Sequence, residues 1–249
     1  MKIAKFLKFK AIDTKENIKL ARQGVKPFKE YGLRLYSGCQ GSGKTSSMVE
    51  QLERYRLEYP DIFIATNFFY SYEDMSIKSL DDLVDLPKMV RENGYTGLVI
   101  ALDEIQNDFD NSMRTFPVTI LRTITQQRKQ AIKILATSQV FTRVAKAIRE
   151  QTFEVVQCRT LLGRWVFQTW YDPTEYEYYI QNANKDDKLK VKKKYNYIQT
   201  DTLRGLYDSY AVIDNLSQHI EKPLSERFQE ADRVRKILDK NEILLLGSD

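Results

Sequence analysis

The sequence has little of what disulfide-linked, zinc-binding or membrane-spanning proteins need. Among its 249 residues are two cysteines and one histidine, too few for a disulfide framework or a zinc pattern. We therefore expect Cys39 and Cys158 to be reduced, and we assign no role to His219. No run approaches the roughly 18 consecutive apolar residues that a membrane span requires. Lysines interrupt the apolar N-terminus too often for a signal peptide, so we expect a cytoplasmic protein.

Basic residues concentrate in two stretches of a chain whose net charge is only +5. Residues 1–30 hold nine Lys or Arg against three Asp or Glu, and residues 185–194 hold six lysines and two aspartates. Either stretch is suited to contact nucleic-acid phosphates. A solubilising arm and a solvated loop explain them equally well, so both interpretations stay open.

A phosphate-binding loop is the strongest local signal in the sequence. Residues 38–45 read Gly-Cys-Gln-Gly-Ser-Gly-Lys-Thr and fit the pattern G-x-x-x-x-G-K-[ST], between a short apolar strand and a helical pattern. Glycines let backbone N–H groups turn toward an anion, and Lys44 is expected to reach the β- and γ-phosphates. The predicted nucleotide ligands are Gly38, Gln40, Gly41, Ser42, Gly43, Lys44, Thr45 and Ser46. A glycine-rich turn without a ligand is the alternative.

Two carboxylates follow the apolar strand at residues 97–102. A strand buried on both faces delivers such groups to its carboxyl end, where nucleotides lie in open α/β sheets. Asp103 is predicted to bind Mg²⁺ together with Thr45, and Glu104 to orient and deprotonate the attacking water. Two adjacent acids at a strand tip also suit a helix-capping turn, which is the alternative.

The rest of the chain alternates strands and helices, as an α/β domain does. Further strands are predicted at residues 33–37, 62–65, 132–139, 153–158 and 164–170, the last two pairing as a hairpin. Helices are predicted at residues 12–23, 45–59, 76–93, 111–129, 141–150, 203–210 and 223–239, and a flexible loop at 182–194.

Together the motifs resemble the FtsK/HerA group of additional-strand P-loop ATPases. The resemblance is carried by residues 38–45, by 98–104 and above all by Ile134-Leu135-Ala136-Thr137-Ser138-Gln139, since a glutamine at that strand tip is typical of the group. It covers about residues 33–172. It implies an α/β, RecA-like fold with a mostly parallel central sheet, a C-terminal β-hairpin and peripheral helices, and it implies ATP and Mg²⁺ as ligands.

A second resemblance is to the Zot-like assembly ATPases of filamentous phages. It rests on Thr66-Asn67 after the second strand, an arginine before the fourth, and Leu206-Tyr207-Asp208-Ser209-Tyr210 near the end. The chain departs from that family in having no apolar span after the ATPase domain. Small ATPases of the same group package viral DNA into preformed capsids. The predicted domains are a basic N-terminal helical arm at 1–31, a P-loop ATPase core at 32–183, and an extension with a Lys-rich loop and terminal helix at 184–249.

In such motors an arginine from the next subunit completes the active site, which implies one here. By its position before the fourth strand, Arg128 is the preferred candidate, and Arg143, Arg149 and Arg122 stay open, as does a solvated helix-end arginine. The resemblance also implies that Gln139 senses the γ-phosphate.

Asn67 ends the second strand, where it is predicted to hold Glu104 or a water molecule. A plain turn residue is an equally good interpretation of an asparagine at this point.

The motifs favour a ring-forming ATPase, a pentamer or hexamer, that translocates double-stranded DNA as a viral genome-packaging motor. A portal or capsid vertex would be its partner and the host cytoplasm its location. The alternative is a Zot-like ATPase that exports phage or plasmid cargo at a membrane complex. A small-molecule kinase or nucleotide switch fits the phosphate loop but explains neither Glu104 nor Gln139.

Overall fold

A twisted eight-stranded sheet with helices on both faces forms the body of the protein. The computed structural model describes residues 2–22, 26–112, 123–125, 130–182, 188–208 and 222–246. The strands are β1 (Gly32–Ser37), β2 (Ile62–Thr66), β3 (Phe69–Tyr70), β4 (Met75–Ser76), β5 (Gly97–Leu102), β6 (Ile132–Ser138), β7 (Thr152–Leu161), β8 (Trp165–Tyr171), β9 (Lys193–Ile198) and β10 (Tyr207–Asp208).

Helices connect and flank these strands. They are α1 (Lys2–Arg22), α2 (Lys44–Glu58), α3 (Asp82–Glu92), α4 (Lys146–Arg149), α5 (Pro173–Gln181), α6 (Asp201–Gly205) and α7 (Leu224–Leu246), with 3-10 turns at Ile105–Asn107 and Phe141–Arg143.

The order of strands across the sheet is β4-β2-β5-β6-β1-β7-β8-β9. The first six run parallel, and β8 and β9 are antiparallel additions. This confirms the expected mostly parallel sheet and the hairpin between β7 and β8. Because β6 lies between β1 and β5, the carboxyl ends of these three strands meet at one edge of the sheet.

Alternation along the strands divides the core into two layers. Ile62 and Ile64 pack with α2 on one face, whereas Phe63 and Ala65 face α3 and α7 on the other. All residues of β1, β5 and β6 are buried, as strands covered by helices on both sides must be.

The C-terminal helix α7 covers one face of the sheet. Phe228 stacks on Phe63 with ring centroids 5.1 Å apart, and Arg227 pairs with the buried Asp82. Arg235 pairs with Asp74 at 2.7 Å. A terminal helix was expected at residues 223–239, and these contacts explain why it lies on the sheet.

Strand β9 was not predicted, because lysines hide its alternation. The sequence suggests a loop over residues 182–194, but Lys193 and Lys194 already pair with β8. Tyr195 and Tyr197 alternate with exposed polar residues and turn toward α2, where the Tyr195 hydroxyl donates to Glu50 at 3.0 Å. Pairing with a distant strand, rather than local periodicity, therefore decides this segment.

Three helix predictions were too long. The helix expected at 76–93 begins at Asp82, whose carboxylate accepts from the Ser79 backbone N–H at 3.2 Å. The one expected at 141–150 is interrupted by the extended Val144. The one expected at 203–210 ends at Gly205. Most of the helix expected at 111–129 lies outside the described residues.

Helix α1 presents large apolar side chains to solvent. Ile3, Phe6 and Leu7 are 76%, 64% and 58% exposed. In the described part of the chain, no helix combines the length and the apolar character needed to cross a bilayer. Both cysteines are free, Cys39 exposed and Cys158 buried.

Replacing Glu73 with Gln is expected to stabilise the protein at alkaline pH. Burial raises the pKa of Glu73 to about 7, although a hydrogen bond from Thr66 opposes the shift. A carboxyl group whose pKa is raised on folding stabilises the fold at low pH and loses that contribution as pH rises from about 4.5 to 7. The Tm advantage of Glu73→Gln should therefore grow between pH 5 and pH 8, by about 2–4 °C for each kcal/mol of relieved cost.

Thermal unfolding followed by circular dichroism measures this difference. The matched control is Glu92→Gln, which makes the same change at a position exposed on α3, and a pH trend specific to Glu73→Gln isolates the effect of burial. A constant difference for Glu73→Gln would contradict the assignment.

Candidate functional site

The phosphate-binding loop connects β1 to α2. At two of its positions, no residue larger than glycine fits. Gly43 has φ 86°, and a Cβ there would lie 2.7 Å from Thr160 Oγ1. A Cβ on Gly38 would lie 2.8 Å from the backbone oxygen of Cys158. The loop is thus folded tightly against β7, with α2 starting at Lys44.

The donors of this loop fit a bound triphosphate. Lys44 Nζ lies over the loop and donates to the Cys39 backbone oxygen at 3.2 Å. The Ser42 hydroxyl is buried and has no hydrogen-bond partner among the described residues. Together with the N-terminus of the 15-residue α2, these groups form a cradle that favours an anion.

Asp103 lies at the tip of β5, opposite the loop. The Thr45 hydroxyl is 3.1 Å from both carboxylate oxygens of Asp103, and the Thr137 hydroxyl donates to one of them. Burial raises the pKa of Asp103, while these two hydrogen bonds act in the opposite direction. Thr45 and Asp103 would hold Mg²⁺, which supplies charge neutralisation to phosphate oxygens when bound.

Asn67 fixes the backbone that carries Asp103. Its Oδ1 accepts from the Asp103 N–H at 2.7 Å, and its Nδ2 donates to the Asp103 backbone oxygen at 3.1 Å. Its partner is the Asp103 backbone rather than the predicted Glu104, so Asn67 ties the end of β2 to the end of β5. Asn67 is 1% exposed, so leaving either backbone group unpaired would be costly.

Glu104 is held in an uncommon conformation. Its φ is 51°, a left-handed value that non-glycine residues adopt rarely and often at functional sites. Its N–H donates to Thr137 Oγ1 at 2.9 Å. Gln139 Nε2 donates to one carboxylate oxygen at 3.2 Å, and Gln106 to the other. The carboxylate is therefore oriented from two sides at the rim of the site.

The phosphate-binding loop, Asp103 and Glu104 share one cleft with a volume of about 500 Å³. Eight of the predicted site residues line it: Gln40, Gly41, Gly43, Lys44, Thr45, Ser46, Asp103 and Glu104. The predicted residues Gly38, Ser42 and Gln139 do not line it. Its other wall comes from the C-terminal part of the chain. That wall consists of Gln199, Arg204 and Tyr207, with Thr160 and Gly163 from the hairpin.

Sequence reasoning assigned no chemistry to this second wall. The only sequence signal was the resemblance carried by residues 206–210. Side chains from a segment more than 150 residues away reach the loop only through the fold.

The arginine candidates for a shared site separate into three groups. Arg128 and Arg122 lie outside the described residues. Arg149 is 6% exposed and pairs with Glu177 at 2.6 Å, so its guanidinium is committed inside its own chain. Arg143 is exposed at the last position of the 3-10 turn that follows β6.

Comparisons with known proteins agree with this architecture. No family model matches the sequence, and no curated protein does. The fold is similar to the N-terminal domain of zonular occludens toxin from Neisseria meningitidis, with a TM-score of 0.50 at 16% identity over 71% of this chain and 98% of that one. This likeness confirms the expected α/β fold with a mostly parallel central sheet.

Further solved structures are similar at lower scores. The genome packaging NTPase B204 from Sulfolobus turreted icosahedral virus 2, in complex with ATP-gammaS, has a TM-score of 0.45 at 13% identity over 57% of this chain and 92% of that one. The cytoplasmic domain of the type VII secretion ATPase EccC from Thermomonospora curvata has a TM-score of 0.40 at 10% identity over 58% of this chain and 23% of that one.

Replacing Asn67 with Ala is expected to weaken both the fold and the site. The Asp103 N–H and backbone oxygen would lose their partner in a buried position, which costs about 1–3 kcal/mol. With the β5 tip released, the affinity for Mg²⁺ with ATPγS should fall as well. Urea unfolding and calorimetric titration measure the two effects.

Asn196→Ala is the matched control, since Asn196 is exposed and its side chain accepts from Trp165 Nε1 at 3.1 Å. It should leave the nucleotide affinity unchanged. If Asn67→Ala behaved like this control in both assays, the role given to Asn67 would be wrong.

Proposed function

We propose that this chain is an ATP-hydrolysing motor that assembles into a ring and moves double-stranded DNA, as a viral genome-packaging ATPase does. The observation that carries the proposal is the placement of Glu104. Its carboxylate is oriented by Gln139, follows the buried Asp103 in the chain and lines the same cleft as Lys44. A portal or capsid vertex in the host cytoplasm is the proposed partner.

Hydrolysis is favoured over phosphoryl transfer to a second substrate. A positioned carboxylate acts as a general base when it lies within reach of a water molecule in line with the γ-phosphate. Glu104 is held by groups from its own turn and from β6, so it stands ready without a second substrate. A kinase would need a pocket for the substrate that accepts the phosphoryl group. The proposed role of Gln139 is to sense the γ-phosphate.

Ring assembly is part of the proposal, because the motors that the sequence resembles complete each active site with an arginine from the next subunit. Arg128 is the proposed residue, and it would stabilise charge on the departing phosphate of a neighbouring chain. Arg143 is the second candidate, because it is exposed. Arg149 is dropped, because its ion pair with Glu177 keeps it inside the chain.

The DNA contact is proposed for the lysines around β9. Lys188, Lys190 and Lys194 are exposed at the outer edge of the sheet. Lysines there suit phosphates rather than bases, which is the contact a motor needs to move along any sequence. Protection of an edge strand against pairing is the competing explanation.

Glu104→Gln is expected to retain ATP binding and to lose turnover by at least about 100-fold, as removal of a general base does. Lys44→Ala should lose binding as well, because it removes the phosphate donor. Phosphate release and titration with ATPγS measure the two steps. Glu92→Gln, an exposed change of the same kind, should keep both. Undiminished turnover in Glu104→Gln would exclude the proposed base.

Duplex DNA should raise the ATPase rate, and the rate per chain should rise with protein concentration as rings form. The double variant Lys190→Ala/Lys194→Ala should bind DNA more weakly and reduce the slope of log K against log salt by about 0.9 for each lost phosphate contact. Lys78→Ala/Lys88→Ala, on the opposite side of the sheet, is the control. An unchanged slope would favour edge protection, and turnover indifferent to DNA would contradict the motor.

A second candidate function is a Zot-like ATPase that exports phage or plasmid cargo at a membrane complex. The observation that favours it is α1, whose exposed Ile3, Phe6 and Leu7 stand among lysines. Such a helix suits docking on a partner. Recovery with membranes on cell fractionation, together with no response to DNA, would support this function over the packaging motor.

A further inference from the structure

The nucleotide cleft is closed on one side by residues 199–208, which we call the lid. The lid follows β9 and comprises Gln199, Thr200, α6, Leu206 and β10. Gln199, Arg204 and Tyr207 of the lid line the cleft together with Lys44 and Glu104. None of these lid residues belongs to the motifs that predict nucleotide binding.

The lid is held in place by local capping and by pairing with a distant strand. Thr200 caps α6 by accepting from the Leu203 N–H at 3.1 Å. Tyr207 pairs with Tyr70 of β3, and the Leu206 backbone oxygen accepts from the Ser71 N–H at 2.8 Å. These contacts form a built structure over the cleft.

Pairing with β3 links the lid to the magnesium side of the site. β3 begins two residues after Asn67, and Asn67 fixes the Asp103 backbone. Helix α6 of the lid packs against α2. The lid therefore contacts α2 directly and reaches the β5 tip through β3.

Arg204 brings a positive charge to the cleft, and the groups that accept hydrogen bonds from its guanidinium do not neutralise that charge. Its Nε donates to Gln199 Oε1 at 3.0 Å, and an Nη donates to the backbone oxygen of Gly163. Both acceptors are neutral. Gln199 is 6% exposed, so it provides a rigid support that orients the guanidinium. A guanidinium held in this way suits a phosphate oxygen.

We propose that Arg204 binds a phosphate oxygen of the nucleotide held in its own chain, so that the lid closes on nucleoside triphosphate and transmits its presence to β3 and Asn67. This inference rests on the nucleotide binding proposed above, but not on DNA translocation or ring formation. It gives a role to the segment whose sequence resembles the Zot-like ATPases. It is also separate from the arginine that a neighbouring chain would supply.

A purely structural role for Arg204 makes a different prediction. In that case the bonds to Gln199 and Gly163 would only connect α6 to the hairpin turn. Its loss would lower the Tm and leave the affinity for nucleotide unchanged.

The test compares Arg204→Ala with the wild-type protein in ATPγS and Mg²⁺. Loss of one hydrogen bond to a charged group should raise the Kd for ATPγS by about 10-fold to 100-fold, with a small change in the Tm of the nucleotide-free protein. The Kd of Arg204→Lys should lie between those of the wild-type protein and Arg204→Ala, because a lysine keeps the charge but lacks the planar guanidinium group.

Arg54→Ala is the matched control. Arg54 is also an arginine that contacts a neighbouring segment, pairing with Glu50 at 2.7 Å and lying over the Tyr195 ring. It does not line the cleft, and its Kd for ATPγS should stay within about twofold of wild type, less than the change expected for one charge-assisted hydrogen bond.

Dilution decides whether Arg204 acts in its own chain. The effect of Arg204→Ala on the Kd should persist at protein concentrations at which the chain is monomeric. An effect that appears only on assembly would assign Arg204 to a neighbour's nucleotide and overturn the proposal. An unchanged Kd at all concentrations would overturn it too.

Hydrogen exchange supplies a second measurement, one that a purely structural role of Arg204 would leave unchanged. ATPγS should protect the backbone amides of β3 and β10 in the wild-type protein, and saturating ATPγS should fail to do so in Arg204→Ala. Equal protection in both would contradict the link. ATPγS binding together with an ATPase rate that does not respond to DNA would contradict the proposed DNA motor but not the proposed role of Arg204.

Discussion

The site depends on one constraint, the immobilisation of a buried carboxylate at the tip of β5. Asp103 is 3% exposed, so its charge needs donors on every side. Asn67, directly after β2, pairs with the Asp103 backbone. Thr137 from β6 and Thr45 from α2 donate hydrogen bonds to its carboxylate. The sheet order β2-β5-β6-β1 puts these donors within reach. The strand order and the geometry of the site are thus consequences of the same packing.

Sequence reasoning succeeded where the signal is local. The phosphate-binding loop, the acidic pair after β5 and the glutamine after β6 each lie within a few residues of a buried strand, so their edge of the sheet follows from strand direction alone. The order of the strands across the sheet could not be predicted from the pattern, because apolar strands such as β2 and β5 do not differ in it.

Pairing between distant segments could not be predicted. Strand β9 carries lysines, and nothing local shows that Tyr197 meets Ser46 at 2.8 Å. Strand β10 has two residues and exists only because β3 lies beside it. Asn67 looked like a turn residue, since the backbone it holds is 36 positions away. In each case the energy of a contact made after folding outweighs local preference.

The two walls of the cleft consequently differ in how they are built. Lys44, Thr45 and Asp103 are fixed by the core and cannot move without disrupting buried strands. The lid is held by a two-residue strand and a helix of five residues, contacts few enough to open at modest cost. A nucleotide that contacts both walls gains most when the lid is closed, and by linkage it must shift the lid toward closure. Because the lid pairs with β3 next to Asn67, the closure proposed above would carry the presence of nucleotide to Asn67 and, through it, to the Asp103 backbone.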